Sequence, residues 1–320
     1  MKICHVDPAC GLNIPPKDWG AIEKIIWEFE INQTKLGHDS THKMAGEIKP
    51  KEFDIIHCHV ANLAIILQER GIPYIYQLHD HHVLHYGKES RVYKENLQAI
   101  EGSLISLMPA NWLVDYFNHP KCVYFSHGVN TDDFYHKTYH PLPTNPKLLM
   151  LANNGLGGDH TFDRKGFEYG LGLAMMNDLE ITIAGPSNNK NFFNGHLWML
   201  GYSKLNLVFD TPNNKLLNLF HQHDIFIHPT MLEAGHPNLT MVEAMAAGLP
   251  VIADWEMEVD LNGCWRAPRD IFKMDQGLKD ILNNWKSYKN QCLETSNRLS
   301  WYNRSKEIIK IYNQFLWKKF

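Results

Sequence analysis

The chain has 320 residues and a net charge of −4, with 44% hydrophobic and 21% charged residues. This length exceeds what one hydrophobic core usually organises, so it predicts two domains, and the ordinary composition excludes collagen-like, coiled-coil and disordered classes. Residues 1–142 hold 13 Lys/Arg against 17 Asp/Glu and the remaining residues 18 of each, so neither half has the positive surplus that nucleic-acid binding normally requires.

Short apolar runs alternate with longer helical segments along the chain, which is typical of a parallel-sheet α/β fold. In the first half we predict strands at 2–6, 54–59, 74–78, 104–108 and 122–125, and an amphipathic helix at 21–36. The segment 138–147 contains three prolines and predicts an extended connector. We therefore place a domain boundary between residues 142 and 143.

The second half repeats the alternation. We predict strands at 148–152, 180–184, 207–209, 225–228 and 251–253, and helices at 166–176, 215–221 and 239–247. Residues 301–319 carry apolar side chains at helical spacing and predict a last helix. The second domain is accordingly expected at 143–300, followed by a separate C-terminal helix at 301–320.

The segment 228–253 carries the strongest chemical signal. It predicts a strand, a polar loop with Glu233, and a helix that begins near Asn238. The N-terminus of such a helix presents unsatisfied N–H groups and a positive dipole end, which favour phosphate. Glu243, one turn into the helix, could accept two hydrogen bonds from a sugar diol. The same spacing is explained equally well if Glu243 only stabilises the helix and Glu233 is a solvated loop residue.

Two further groups of residues could carry chemistry. Arg164 and Lys165 precede a predicted helix, where a pair of cations can neutralise a diphosphate, although a solvated basic pair is the simpler interpretation of the residues alone. Residues 78–85 contain four histidines after a predicted strand, yet no HExxH motif or cysteine partner supports a zinc site there. His57 and His59 fall on an inner strand, and we favour a structural role for them.

In this order the motifs resemble those of the family 4 glycosyltransferases, retaining enzymes of the GT-B fold. Besides 228–253, the matching segments are 19–39, 54–59, 77–80, 127–134, 164–166, 184–185 and the helix from 301, so the resemblance covers nearly the whole chain. Two departures stand out. Nine residues separate Glu233 from Glu243 instead of the usual seven, and residues 153–158 lack the arginine that the family places after the first strand of its second domain. Arg164 is the candidate to replace that arginine.

The resemblance implies two Rossmann-like domains facing across a cleft, with the C-terminal helix returning to the first domain. It implies catalytic roles for His79, Asp80 and Glu233, and donor binding by Gly20, Arg164, Lys165, Asn238, Leu239, Thr240 and Glu243. The implied reaction moves a hexose, with retention, from a nucleoside-diphosphate sugar to a hydroxyl of a carbohydrate or lipid-linked carbohydrate. We expect no metal and no cofactor besides the donor.

Three alternatives stay open. Residues 77–84 are similar to a loop of phage-type DNA glucosyltransferases, but the acidic first domain argues against a nucleic-acid partner. A sugar-nucleotide 2-epimerase would share the architecture, and so would an inactive carbohydrate-binding scaffold.

The scattered cysteines, with no Cys-x-x-Cys pair, favour a reducing compartment, and the apolar stretch 60–67 is too short for a membrane span. We therefore expect a cytoplasmic protein, with peripheral membrane contact as an open possibility.

Overall fold

The computed structural model describes residues 1–8, 11–16, 20–80, 82–134, 141–154, 163–231, 237–254 and 261–316. By its internal contacts the chain divides into two compact units. Of the described residues, unit 1 comprises Met1–Gly128, Pro237 and the segment from Leu299, and unit 2 comprises those from Val129 to Met231 and from Asn238 to Arg298. Each unit is built on one six-stranded sheet.

The strands of unit 1 are β1 (Lys2–Val6), β2 (Asp39–Lys43), β3 (Ile55–Cys58), β4 (Ile75–Gln77), β5 (Ser106–Met108) and β6 (Cys122–Tyr124). Those of unit 2 are β7 (Leu148–Leu151), β8 (Ile181–Gly185), β9 (Leu205–Phe209), β10 (Ile225–His228), β11 (Val251–Ala253) and β12 (Cys264–Arg266). All paired strands are parallel, in the orders β2-β1-β3-β4-β5-β6 and β12-β11-β10-β7-β8-β9. The predicted α/β class with two Rossmann-like domains is confirmed.

Helices connect the strands of each sheet. Unit 1 contains α1 (Ala21–Lys35), α2 (Ala61–Glu69), α3 (His82–Tyr86), α4 (Arg91–Gly102) and α5 (Asn111–Phe117). Unit 2 contains α6 (Thr131–Phe134), α7 (Phe167–Met176), α8 (Asn189–Gly195), α9 (Asn213–His221), α10 (Leu239–Ala246), α11 (Ile271–Asn283) and α12 (Trp285–Arg298). The last helix, α13 (Trp301–Leu316), belongs to unit 1. Among these helices, none combines the length and hydrophobicity needed to cross a bilayer.

The C-terminal helix packs on α1, as the resemblance implies. The Trp301 ring meets the Phe29 ring edge-on at 5.1 Å between centroids, and both side chains are buried. Gly128 makes this packing possible, because a Cβ there would lie 2.6 Å from the Trp301 indole. A side chain at residue 128 would therefore push α13 away from unit 1.

The division between the units comes earlier than the proline-rich connector. Phe134 of α6 packs edge-on against Phe220 of α9, with 5.7 Å between ring centroids. This contact buries the aromatic side chain of α6 in unit 2, which begins at Val129. The proline-rich residues 141–147 then lead directly into β7.

Candidate functional site

The strand order of unit 2 locates its crevice. From β7 the chain continues to β8 on one side of the sheet, whereas β10, the other neighbour of β7, leads to β11 on the opposite side. Parallel α/β sheets bind ligands outside the carboxyl ends of the two strands at such a switch point. Here these ends lead into residues 152–154 and 229–231.

The predicted basic pair lies against the segment that follows β10. The Asp163 carboxylate binds the N-terminus of α7, since it accepts the Phe167 N–H at 2.9 Å and the Glu168 N–H at 2.8 Å. The Met231 N–H donates to the Arg164 carbonyl at 3.0 Å. Residues 163–166 are thereby fastened beside the carboxyl end of β10.

The same basic pair also contacts the end of β7. The Arg164 guanidinium donates to the Asn153 carbonyl at 3.1 Å, and the Lys165 N–H donates to Asn154 Oδ1 at 3.1 Å. Asn189 holds this turn, because its Oδ1 accepts the Asn154 N–H at 3.0 Å and its amide N–H donates to the Ala152 carbonyl at 2.8 Å. Arg164 thus reaches the backbone directly after the first strand of unit 2, where the resemblance expects an arginine. Residues 155–158 of the glycine-rich segment lie outside the described residues.

Arg269 lies beside this candidate site and was not selected from the sequence. Its guanidinium donates to the carbonyls of Pro229 and Arg164, and to that of Asp163 at 3.0 Å. It also lies over the Tyr169 ring, 5.6 Å from the centroid. One side chain therefore joins the loop of the basic pair to the end of β10. The only sequence signal was a lone arginine next to Asp270, the N-cap of α11.

The start of α10 agrees with the sequence prediction. Asn238 is the N-cap, and its Oδ1 accepts hydrogen bonds from the Thr240 N–H at 2.9 Å and the Thr240 hydroxyl at 2.7 Å. Leu239 and Thr240 are half-buried, whereas the Glu243 side chain is buried within the first turns. The predicted catalytic Glu233 lies outside the described residues.

His79 and Asp80 follow β4 in unit 1. His79 Nε2 lies 2.9 Å from His59 Nδ1, and its Nδ1 lies 3.3 Å from His127 Nε2. Burial and the neighbouring His127 hold the pKa of His79 well below its usual range, so the ring is neutral at pH 7. Asp80 Oδ1 accepts the His82 N–H at 2.9 Å and so begins α3.

Gly20 precedes α1 with φ +146°, and a Cβ there would lie 2.9 Å from the Pro16 Cβ. It belongs to unit 1 together with His79 and Asp80. The structure therefore brings together Arg164, Lys165 and residues 229–231 at the sheet of unit 2, the unit that also contains α10, and it places Gly20 on the other unit. The roles assigned to all of these residues stay predictions.

Comparison with known proteins supports this architecture. Residues 171–306 match the family described as "Glycosyl transferases group 1". A sucrose-phosphate synthase from Thermosynechococcus elongatus is similar in structure, with a TM-score of 0.75 and 14% identity over 99% of this chain and 100% of that one. HepE of Anabaena in complex with UDP-glucose is also similar, with a TM-score of 0.68 and 11% identity over 98% of this chain and 100% of HepE. WaaG, a glycosyltransferase involved in lipopolysaccharide biosynthesis, has a TM-score of 0.60 and 13% identity over 97% of this chain and 99% of WaaG. No curated protein sequence matches this chain. With the two parallel sheets, these likenesses confirm the GT-B fold.

Proposed function

We propose that the protein is a retaining glycosyltransferase that moves a hexose from a nucleoside-diphosphate sugar to a hydroxyl of a carbohydrate or lipid-linked carbohydrate. One observation carries the proposal. Arg164 and Lys165 are held at the switch point of unit 2, beside residues 229–231 at the end of β10, and the same unit contains the capped start of α10. The family match over residues 171–306 includes α10 and supports the same conclusion.

The residues of unit 2 would hold the donor. Arg164, Lys165 and the N–H groups at the start of α10 offset the charge that develops on the departing diphosphate. Glu243 accepts hydrogen bonds from the ribose diol. Arg269 does not need to touch the donor in this scheme, because it positions the Arg164 loop through the backbone.

The remaining predicted residues would orient the sugar and the acceptor. His79, Asp80 and Glu233 position the hexose and the attacking hydroxyl, and Gly20 lets the backbone approach the donor closely. The hydroxyl attacks on the face that the diphosphate leaves, and a phosphate oxygen takes its proton, so the configuration is retained. The sequence has no Asp-x-Asp motif, and we propose that the basic pair replaces a metal ion at the diphosphate.

Calorimetry with UDP, GDP and ADP tests the donor assignment. UDP is the first choice, because the similar HepE structure contains UDP-glucose. We expect at least one nucleotide to bind, and at 100 times its Kd the nucleotide should stabilise the protein by about 2.7 kcal/mol. If none of the three gives binding heat or a thermal shift at about 5 mM, above the 1 mM Kd that corresponds to only −4.1 kcal/mol, the assignment is wrong.

We expect Glu243→Ala to weaken binding of that nucleotide about tenfold, since a hydrogen bond to a charged group contributes roughly 1.5–3 kcal/mol. Calorimetry measures the Kd, and the melting temperature shows whether the fold survives. Glu180→Ala is the matched control, because Glu180 is a half-exposed carboxylate of unit 2 that pairs with Lys147. Equal Kd values for the two variants would reduce Glu243 to a helix-stabilising residue.

We expect transfer to oligosaccharide acceptors and none to DNA. Residues 1–142 are acidic by four charges, and this part of the chain would forgo the counterion release that drives binding to DNA. The test is a transfer assay and a gel shift at low salt, with oligosaccharides and hydroxymethylated DNA as competing acceptors. Sugar transfer to the bases would replace our proposal with the DNA glucosyltransferase alternative. We further propose a cytoplasmic enzyme that meets lipid-linked acceptors by peripheral membrane contact.

A further inference from the structure

Three buried histidines form a cluster on one face of the sheet of unit 1. His5 of β1 and His57 of β3 are partners in the strand register, and His59 follows β3 on the same face. Their ring centroids are 5.1 Å (His5 to His57), 5.3 Å (His5 to His59) and 4.2 Å (His57 to His59) apart. Each histidine has one ring nitrogen that lies within 4.8 Å of a ring nitrogen of both other histidines.

The outer nitrogen of each ring is held by a partner. His5 Nε2 lies 3.1 Å from Gln33 Oε1, and His57 Nδ1 lies 2.8 Å from the Tyr312 hydroxyl. His59 Nδ1 lies 2.9 Å from His79 Nε2. Histidines that bind a metal are nearly always oriented by such a hydrogen bond at the second nitrogen.

The inner nitrogens of His5 and His59 face each other. His5 Nδ1 lies 3.0 Å from His59 Nε2, close to the separation of about 3.3 Å that two ligands have when each binds a tetrahedral zinc ion at 2.0–2.1 Å. His57 Nε2 is fully buried and makes no hydrogen bond of good geometry among the described residues, although the Gln77 side chain interacts with this ring. A bound ion would satisfy His57 Nε2 as well as the two nitrogens of the 3.0 Å contact.

We propose that His5, His57 and His59 bind one divalent transition-metal ion of the zinc type, with the Gln77 amide oxygen as a fourth ligand. Gln77 is buried on β4, one position beyond the Cys58–Tyr76 register pair, and its side chain interacts with the His57 ring, although neither amide atom makes a hydrogen bond of good geometry in the described part of the chain. All four residues belong to unit 1, and the observations that support the ion are separate from those that support the donor residues of unit 2. His59 bonds to His79, to which the proposed function gives a catalytic role, but the metal analysis does not depend on that role.

The ion would also set the proton positions on the neighbouring histidines. Without an ion, Gln33 Oε1 accepts from His5 Nε2, so His5 Nδ1 accepts from His59 Nε2 and His59 Nδ1 accepts from His79 Nε2. With the ion on His59 Nε2, the proton of His59 moves to Nδ1 and is donated to His79 Nε2. His79 then carries its proton on Nδ1 and donates it to His127 Nε2.

Metal analysis of the full chain tests the proposal. Protein expressed with added Zn²⁺ should contain about one zinc ion per chain, and His57→Gln should reduce that content at least tenfold. His42→Gln is the matched control and should keep the ion, because His42 pairs with His5 in the register but bonds to Glu30. A His57→Gln variant that folds and keeps the full zinc content would overturn the site.

Two measurements on the unsubstituted protein decide the matter if His57→Gln does not fold. Refolding with Co²⁺ should give the visible ligand-field absorption of a histidine-bound ion, and nitrogen NMR should place the protons of His59 and His79 on Nδ1 in the zinc form. The proposal fails if the protein contains less than about a tenth of an ion after refolding with excess Zn²⁺ and shows no Co²⁺ absorption. The proposal also fails if His59 and His79 both keep their protons on Nε2 in the zinc form.

Discussion

Replacing Gly166 with alanine is expected to lower the free energy of unfolding by about 3 kcal/mol or more and to abolish nucleotide binding. Gly166 has φ +73°, a left-handed conformation that costs a side-chain-bearing residue roughly 1–2 kcal/mol. The new Cβ would also lie 2.4 Å from the Pro229 carbonyl oxygen and 2.7 Å from the Pro229 ring. Because no flexible side chain can absorb this clash, the backbone has to shift, and Arg164 and Lys165 shift with it.

Substitutions at two other glycines separate the effect of backbone strain from that of the steric clash on the free energy of unfolding. Gly71 has φ +65° with open space around its Cβ position, so Gly71→Ala should show the backbone strain alone, about 1 kcal/mol. Gly195 ends α8 with open space and no positive φ, and Gly195→Ala should be nearly neutral. Denaturant unfolding and calorimetry with the best nucleotide measure all three variants. A Gly166→Ala protein as stable as Gly71→Ala, with normal nucleotide affinity, would contradict the tight contact with Pro229.

The sequence pattern located the central strands better than the edge strands. The runs that became β3 and β10 are fully buried and apolar apart from one histidine each, and buried parallel strands show this continuous apolar pattern. The edge strand β2 has the sequence DSTHK and no fully buried residue, so it carries no apolar signal. β12 has only three residues, none of them fully buried, and it was missed for the same reason.

Sequence patterns could select candidate site residues where these are neighbours in the chain, and their roles stay predictions. Asn238 and Glu243 lie on one helix, and Arg164 and Lys165 are adjacent, so local pattern was enough to select them. Arg269 could not be found in this way, because its importance comes from the backbone carbonyls of residues 40 and more positions away.

Local sequence pattern could not predict the histidine cluster for the same reason. The sequence shows that His57 and His59 share one face of a strand, and a structural role was favoured for both. The other members come from β1, α1 and α13, which only folding brings next to β3: these are His5, Gln33 and Tyr312. Nothing in the spacing of residues 54–59 could indicate that a tyrosine more than 250 positions later would orient His57.

Arg269→Ala is expected to raise the Kd of the nucleotide about 100-fold, which corresponds to roughly 2.7 kcal/mol, and to lower the melting temperature. The guanidinium holds the carbonyls of Asp163, Arg164 and Pro229 in one fixed arrangement. Without it, water satisfies these carbonyls separately, and the loop of the basic pair loses its connection to the end of β10. The diphosphate then has to order that loop at a cost in binding free energy.

Arg269→Lys separates geometry from charge. Lysine keeps the positive charge, but a compact ammonium group cannot reproduce the planar fork that reaches these carbonyls. We therefore expect its Kd to lie much closer to that of Arg269→Ala than to that of the unsubstituted protein. Lys273→Ala removes an exposed cation from the first turn of the adjacent α11 and should leave the Kd unchanged. Full recovery of affinity in Arg269→Lys would mean that Arg269 acts through its charge, and normal affinity in Arg269→Ala would mean that the basic pair needs no such support.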